Sequence, residues 1–294
     1  MASGQPNPAD NASSEGALEP ALYLVATPIG NLEDITLRAL RVLRQADLIA
    51  CEDTRQTQKL LNHYGISTPT TSYHEHNEVT RAPALVIELE QGARIALVTD
   101  AGMPGISDPG FRLITLAIRH HLSVVPIPGA SAFLAALVAS GLPTDSFRFS
   151  GFLPARRGQR RTILEAIRDS PRTQVFYEAP HRLPETLVDI LEVLGPDRQV
   201  VIAREVTKRH EEFLRGRVDH VLAALHVPIK GEITLLVGKA EKTTQPRIVQ
   251  PDMRQQFEEI LARDKLDEKA ALKKLAKAMG ISRSQAYREL QRKK

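Results

Sequence analysis

Tryptophan is absent from the 294-residue chain, aromatic residues make up 4% of it, and Cys51 is its only cysteine. One thiol forms no internal disulfide and supports no cysteine-based metal site. It suits a reducing compartment, so a cytoplasmic location is expected. So few aromatics leave little material for the stacking platforms of single-strand-binding proteins. The first twenty residues lack both a basic stretch and an apolar stretch, so they read as a disordered tail rather than a secretory signal. Residues 122–144 carry no charge and are numerous enough to suggest a membrane span. Pro126, Pro128, Gly129 and Gly141 interrupt them, however, and a buried strand, a turn and a small-residue helix fit better. No membrane partner is expected.

No strong excess of one charge exists either: 39 Lys and Arg face 35 Asp and Glu, a net of +4. The distribution is uneven. Lys269–Lys294 holds nine basic residues and one acid, Glu289, a net of +8, which leaves the rest of the chain at −4. An acidic body with a basic end suits a polyanionic partner held by that end.

What is present is an ordinary globular composition, 42% hydrophobic and 25% charged, enough for a sizeable core. Short apolar runs alternate with amphipathic stretches up to residue 140, the pattern of βα units around a mostly parallel sheet. Strands are predicted at Leu22–Ala26, Asp47–Cys51, Arg94–Thr99 and Ser123–Pro126. Helices are predicted at 36–45, 57–64, 81–91, 109–120 and 130–140, several stopped by glycine. From Phe147 five further strands and three helices follow, near 162–168, 183–194 and 218–225. The fold class is α/β, with a disordered tail at 1–20, α/β domains at 21–145 and 146–240, and a linker at 241–251. Residues 252–294 form a basic helix-turn-helix-like segment. In it Leu272, Leu275 and Ala276 face inward, Gly280 turns the chain and Ser282 caps the next helix.

Three loops follow three predicted strands: Val25–Asn31, Val98–Gly110 and Pro126–Ala132. Open α/β sheets bind ligands outside the carboxyl ends of their strands, so the three loops are expected to build one crevice, with Asp100 buried at a strand end. The Asp100–Gly105 loop is not a dinucleotide fingerprint: its glycines are spaced G-x-x-G, Pro104 stiffens it, and no acid ends the next strand. No phosphate-binding G-x-x-x-x-G-K-[ST] occurs.

LYLVATPIGN (22–31), CEDTR (51–55), VTDAGMPGISDPG (98–110), PIPGASA (126–132), GFLP (151–154), FYEAPHR (176–182) and KGEIT (230–234) stand in one order and spacing. Together they closely resemble the ribosomal small-subunit RNA methyltransferase I family of the tetrapyrrole methylase superfamily. The resemblance implies a two-domain tetrapyrrole methylase-like fold, usually a homodimer, with S-adenosyl-L-methionine in the cleft. It also implies 2′-O-methylation of a cytidine ribose in the decoding region of small-subunit (16S) ribosomal RNA, on free RNA or the 30S subunit. Carried onto this chain, Pro28, Asp100, Met103, Gly105, Ser131 and Ala132 hold the cofactor, and Tyr177, Ile233 and Thr234 close over it. Met103 stands where the family more often has a small polar residue, so its contribution is expected from backbone.

Methyl transfer mainly needs alignment of nucleophile and methyl carbon, but a ribose hydroxyl gains from a positioned base. Glu52, Asp53, Glu178 and His181 are candidates, with Arg55 and Arg182 as clamps. His74 and His76 alternate without a third ligand, and no metal is expected. Arg156, Arg157, Arg160 and Arg161, with Lys273, Lys274, Lys277, Arg283 and Arg288, mark the expected RNA track. Two other readings fit parts of the sequence. A small-molecule, precorrin-type tetrapyrrole methyltransferase would not need the basic end. A ligand-sensing DNA-binding regulator would bind duplex and transfer nothing.

Overall fold

The apolar runs near the start of the chain become strands covered by helices. In the computed structural model, which describes residues 16–226, 228–240, 257, 260, 261, 267–278, 282 and 284–286, the first sheet is wholly parallel. It contains β1 (Ala21–Val25), β2 (Leu48–Cys51), β3 (Thr70–Ser72), β4 (Arg94–Val98) and β5 (Val124–Ile127), in the order β3-β2-β4-β1-β5. β1 and β4 sit in the middle, with Leu22, Val25, Ile95, Ala96, Leu97 and Val98 all buried. Near-continuous apolar sequence is what a strand buried on both faces requires. The edge strand β3 has no such signal: its three residues Thr70, Thr71 and Ser72 are polar and half-buried, and the hydropathy pattern predicts no strand there.

Helices α1 (Leu37–Gln45), α2 (Thr54–His63), α3 (Glu78–Glu90) and α4 (Phe111–Arg119) connect these strands. The start of α1 is set by Thr36, whose hydroxyl accepts from the Ala39 N–H, and that of α2 by Asp53, which accepts from the Arg55 N–H. Hydropathy spacing starts α2 three residues late, because the capping Asp53-Thr54 precedes the first apolar position.

The second sheet holds β6 (Phe147–Phe152), β7 (Thr173–Glu178), β8 (Gln199–Arg204), β9 (Glu212–Arg217) and β10 (Ile233–Val237), ordered β6-β7-β10-β8-β9. Only β6 and β7 run parallel; the other pairings are antiparallel. The helix that ends the first half, α5 (Ala132–Ser140), packs on this sheet: Ala136 and Leu137 share a core with Val175, Val201, Ala203 and Leu236. Helices α6 (Arg157–Ala166), α7 (Leu183–Leu194) and α8 (Val218–Ala223) pack with it through Leu164, Leu187, Ile190 and Val221. Both sheets therefore belong to one compact unit reaching Ala240, and Glu241–Lys294 forms another.

In that second unit α9 (Glu268–Ala278) begins at Asp267, whose carboxylate accepts from the Ala270 N–H at 2.7 Å. Leu272 and Ala276 pack with Ala286, and the Ser282 hydroxyl accepts from the Gln285 N–H at 3.2 Å. Among the described residues no helix is long and apolar enough to cross a membrane.

Candidate active site

The loops after β1, β4 and β5 meet at the carboxyl edge of the parallel sheet. Thr27 and Gly102 exchange backbone hydrogen bonds of 2.9 and 3.0 Å, and the Thr27 hydroxyl donates to the Thr99 carbonyl at 3.0 Å. The third loop lies against the first at Gly129, where a Cβ would stand 2.8 Å from that of Ala26. Glycine at 129 is a matter of space; at 102, with φ +86°, it is a matter of backbone conformation.

These loops form one wall of a cavity of about 410 Å³, a volume within the range of ligand-sized pockets, roughly 300–1,000 Å³. Ile29, Gly102, Met103, Asp108, Ser131 and Ala132 line it from the first half, and Phe152, Tyr177, Ile233 and Thr234 from the second. Register explains the second wall: Thr234 of β10 pairs with Tyr177 of β7, and Phe152 of β6 pairs with Tyr177 on its other side. The Tyr177 ring is held edge-on by Phe149, at 5.0 Å between centroids. Burial, with the nearby Asp108 charge second, pushes its hydroxyl up to about 12.

Six of the nine residues expected to hold a cofactor thus line one cavity: Met103, Ser131, Ala132, Tyr177, Ile233 and Thr234. Pro28, Asp100 and Gly105 do not. Pro28 precedes the lining Ile29, and Gly105 supports the loop from beneath, packed against Gly110. Asp100, expected to be buried, is exposed, and its carboxylate accepts from the Asp53 N–H at 3.2 Å. The strand ends before Asp100, so its side chain leaves the sheet edge and ties the β4 loop to the β2 loop.

The candidate bases are not brought together. Glu178 is buried, but its carboxylate is fully engaged: it accepts from the Ala179 N–H at 2.8 Å and the Thr186 hydroxyl at 2.7 Å, and it pairs with Arg182 at 2.6 Å. This arrangement anchors the start of α7, so Glu178 and Arg182 are a structural pair rather than base and clamp. Asp53 and Arg55 likewise hold each other, at 2.8 Å, with Arg55 in solvent; the hydrogen-bonded guanidinium holds the Asp53 carboxyl down at about 2. His181 is exposed and Glu52 half-buried, and neither lines the cavity. Burial raises the Glu52 carboxyl, with the Asp100 charge adding to it.

Three acids line the cavity, Asp108, Glu178 and Glu232, and Asp108 is one that the sequence motifs did not single out. Burial, then the charges of Glu52 and Asp100, pushes its carboxyl up to about 7. Its signal lies inside VTDAGMPGISDPG, where the glycines and prolines dominate the pattern.

The arginines after β6 also differ from expectation. Arg160 is 1% exposed and pairs with the equally buried Asp189 of α7 at 2.7 Å. Arg157 bonds the other Asp189 oxygen at 2.8 Å and reaches Glu192; Arg161 pairs with Glu192. These three fasten α6 to α7, and Arg160 is unavailable to RNA; Arg156 alone of the four is exposed with no ion pair among the described residues. On α9 Lys273 and Lys274 are exposed and Lys277 lies on the same helix, whereas Arg283 and Arg288 fall outside the described residues. The His74 and His76 rings meet edge-on, 5.9 Å between centroids. Among the described residues no three His, Cys, Asp or Glu side chains gather as a metal site.

Residues 21–222 match the family of tetrapyrrole (corrin/porphyrin) methylases. The protein named ribosomal RNA small subunit methyltransferase I of Halalkalibacterium halodurans is 50% identical over 270 residues, 90% of this chain and 93% of that one. Its namesake in Mesorhizobium japonicum is 56% identical over 234 residues, 78% of this chain and 79% of its own. Among solved structures, a diphthine synthase aligns with TM-score 0.59 at 15% identity, over 74% of this chain and 89% of that one. A uroporphyrin-III C-methyltransferase of Thermus thermophilus aligns with TM-score 0.53 at 18% identity, over 74% and 96%. At such identities these two speak to the fold.

Proposed function

The chain belongs to the tetrapyrrole methylase family, in the group of ribosomal RNA small subunit methyltransferases I, and from that premise we propose its reaction in full. It moves a methyl group from S-adenosyl-L-methionine to the ribose 2′-oxygen of a cytidine in the decoding region of 16S ribosomal RNA. The observation that carries this reading is the single cavity assembled from the β1, β4 and β5 loops and closed by β7 and β10. Small-subunit RNA methylation is the activity for which the near relatives are named.

The cavity suits the cosubstrate. Ile29, Met103 and Phe152 offer apolar surface, the loops offer backbone groups, and Asp108 is a carboxylate to face a sulfonium cation. When bound, S-adenosyl-L-methionine supplies a methyl carbon already activated for displacement. The chain's task is then alignment, and loops bridged to each other by hydrogen bonds are suited to it. Tyr177 stays protonated at neutral pH, so its hydroxyl is available to donate. The basic end, with Lys273 and Lys274 on α9, supplies attraction to RNA phosphates.

Homodimeric assembly and a cytoplasmic location belong to the same reading. The exposed Phe111 and Ile118 on α4 offer apolar surface to a second copy. The test is direct. Purified protein is given labelled S-adenosyl-L-methionine with 30S subunits, free 16S RNA or a porphyrin precursor, and the RNA is digested to nucleosides. Label in 2′-O-methylcytidine is the expected result. Label only in a base or in the porphyrin, or none in any RNA, would overturn the proposal.

A further inference from the structure

We propose that Asp108 is the proton acceptor for the ribose hydroxyl, a catalytic residue for the reaction proposed above, and the assignment rests on that reading. The argument begins with which acids and phenols line the cavity: Asp108, Tyr177, Glu178 and Glu232. Glu178 has its oxygens taken by Thr186, Ala179 and Arg182. Glu232 is largely in solvent and paired with Lys208 at 3.1 Å. Tyr177 holds its proton through neutral pH. Asp108 is the remaining group, and among the described residues nothing donates a hydrogen bond to its carboxylate and no cation pairs with it. A half-buried, unpartnered carboxylate on the wall of a ligand-sized cavity has its lone pairs free for a ligand.

The backbone holds it there. Ser107, just before it, has φ +62°, a conformation costly for a residue with a side chain. Gly110, two residues after, has φ +144° and lies so close that a Cβ would meet the Gly105 nitrogen at 3.2 Å. The loop thus folds back on itself between Gly105 and Gly110. From the opposite sheet, a Cβ at Gly151 of β6 would be 3.2 Å from the Ser107 hydroxyl oxygen, so the loop is also braced from that side. Strain at 107 and close backbone approach at both ends aim one short side chain into the cavity.

The step balances without any further reagent. The ribose oxygen forms a bond to the methyl carbon, the carbon–sulfur bond breaks with its electron pair passing to sulfur, and the hydroxyl proton passes to the Asp108 carboxylate. The charged groups acting on Asp108 are Glu52 after β2 and Asp100 after β4, both anionic, with the Tyr177 phenol facing it from β7. Burial and the two anions favour the protonated form in the free protein, and a bound sulfonium would favour the ionised form. kcat/KM should therefore fall below about pH 7, and kcat should fall at a lower pH than kcat/KM.

The experiment is methylation of 30S subunits by the full-length protein from pH 5.5 to 9, for wild type, Asp108→Asn and Asp108→Glu. Binding of S-adenosyl-L-methionine is measured alongside by calorimetry. Expected are a loss of roughly 10²–10⁴-fold in kcat at saturating cosubstrate for Asp108→Asn, a smaller loss of cosubstrate affinity because the carboxylate that faces the sulfonium is gone, loss of the acid limb, and partial rescue with an acid limb in Asp108→Glu. The assignment is overturned if Asp108→Asn stays within a few-fold of wild type, keeps the acid limb, or loses activity only in step with cosubstrate affinity. If wild type itself labels no RNA, the reading of the reaction fails first and this assignment with it. If wild type and Asp108→Asn label equally, only the assignment fails.

Discussion

Arg160 of α6 and Asp189 of α7 bury one another: guanidinium and carboxylate are each 1% exposed and stand 2.7 Å apart. Taking one partner from such a pair strands a charge away from water. Asp189→Asn should lower stability by roughly 3–5 kcal/mol, read from denaturant unfolding. A stability equal to wild type would show that the α6–α7 packing does not depend on this pair.

A similar division applies to Glu178, tied to Arg182, Thr186 and the Ala179 N–H. Glu178→Gln weakens a charge-assisted network by about 1–3 kcal/mol and should lower the melting temperature. The shape of the methylation pH profile should not move. A vanished acid limb in this variant would return Glu178 to the candidate bases.

Asp108 makes a prediction about stability that is separate from catalysis. Its carboxyl is raised from 3.8 to about 7, so between those values the folded protein keeps a proton that the unfolded chain has released. The unfolded state binds fewer protons in that window, and stability declines as pH rises through it. Asp108→Asn, which never carries the charge, should melt higher than wild type at pH 8, and the difference should close towards pH 4. Thermal unfolding at four or five pH values decides it, and a constant or reversed difference contradicts the raised value.

Gly129 tests the convergence of the loops. A Cβ added there meets the Cβ of Ala26 at 2.8 Å, and neither atom sits on a flexible side chain. Gly129→Ala should cost about 1–3 kcal/mol and weaken cosubstrate binding, because the β1 and β5 loops must separate. Tight binding retained in this variant would mean that the two loops move without consequence for the cavity.

The basic end predicts a salt effect. Replacing Lys273 and Lys274 by Ala should weaken RNA binding across sequences. The slope of log K against log salt should become shallower by about 1 for each phosphate no longer neutralised. Affinity for S-adenosyl-L-methionine should stay as it was. An unchanged salt slope would place the RNA elsewhere.

Much of the fold is legible in the sequence because buried parallel strands announce themselves. Leu22–Ala26 and Arg94–Thr99 are apolar almost throughout, and β1 and β4 fall within a residue of those limits. Thr70–Ser72 carries no such warning because an edge strand is held by backbone pairing to β2, not by apolar side chains. The cavity is legible through its glycines and prolines, which mark where backbone turns and approaches closely. The polar residues are harder, since sequence gives residue type and not partner. Arg160 has the look of a phosphate ligand until Asp189, 29 residues later, stands beside it, and Glu178 that of a base until Thr186 and Arg182 occupy it.

Helix α5 leaves a loop of the first half yet contributes Ala136 and Leu137 to the core of the second. A chain cut in the 141–146 connection would therefore leave one fragment with an orphaned greasy helix and the other with an uncovered sheet face. Neither piece would be soluble by itself, and each would complete the other on mixing, as the pieces of a split reporter do. The two halves are inseparable as modules, although each carries its own sheet.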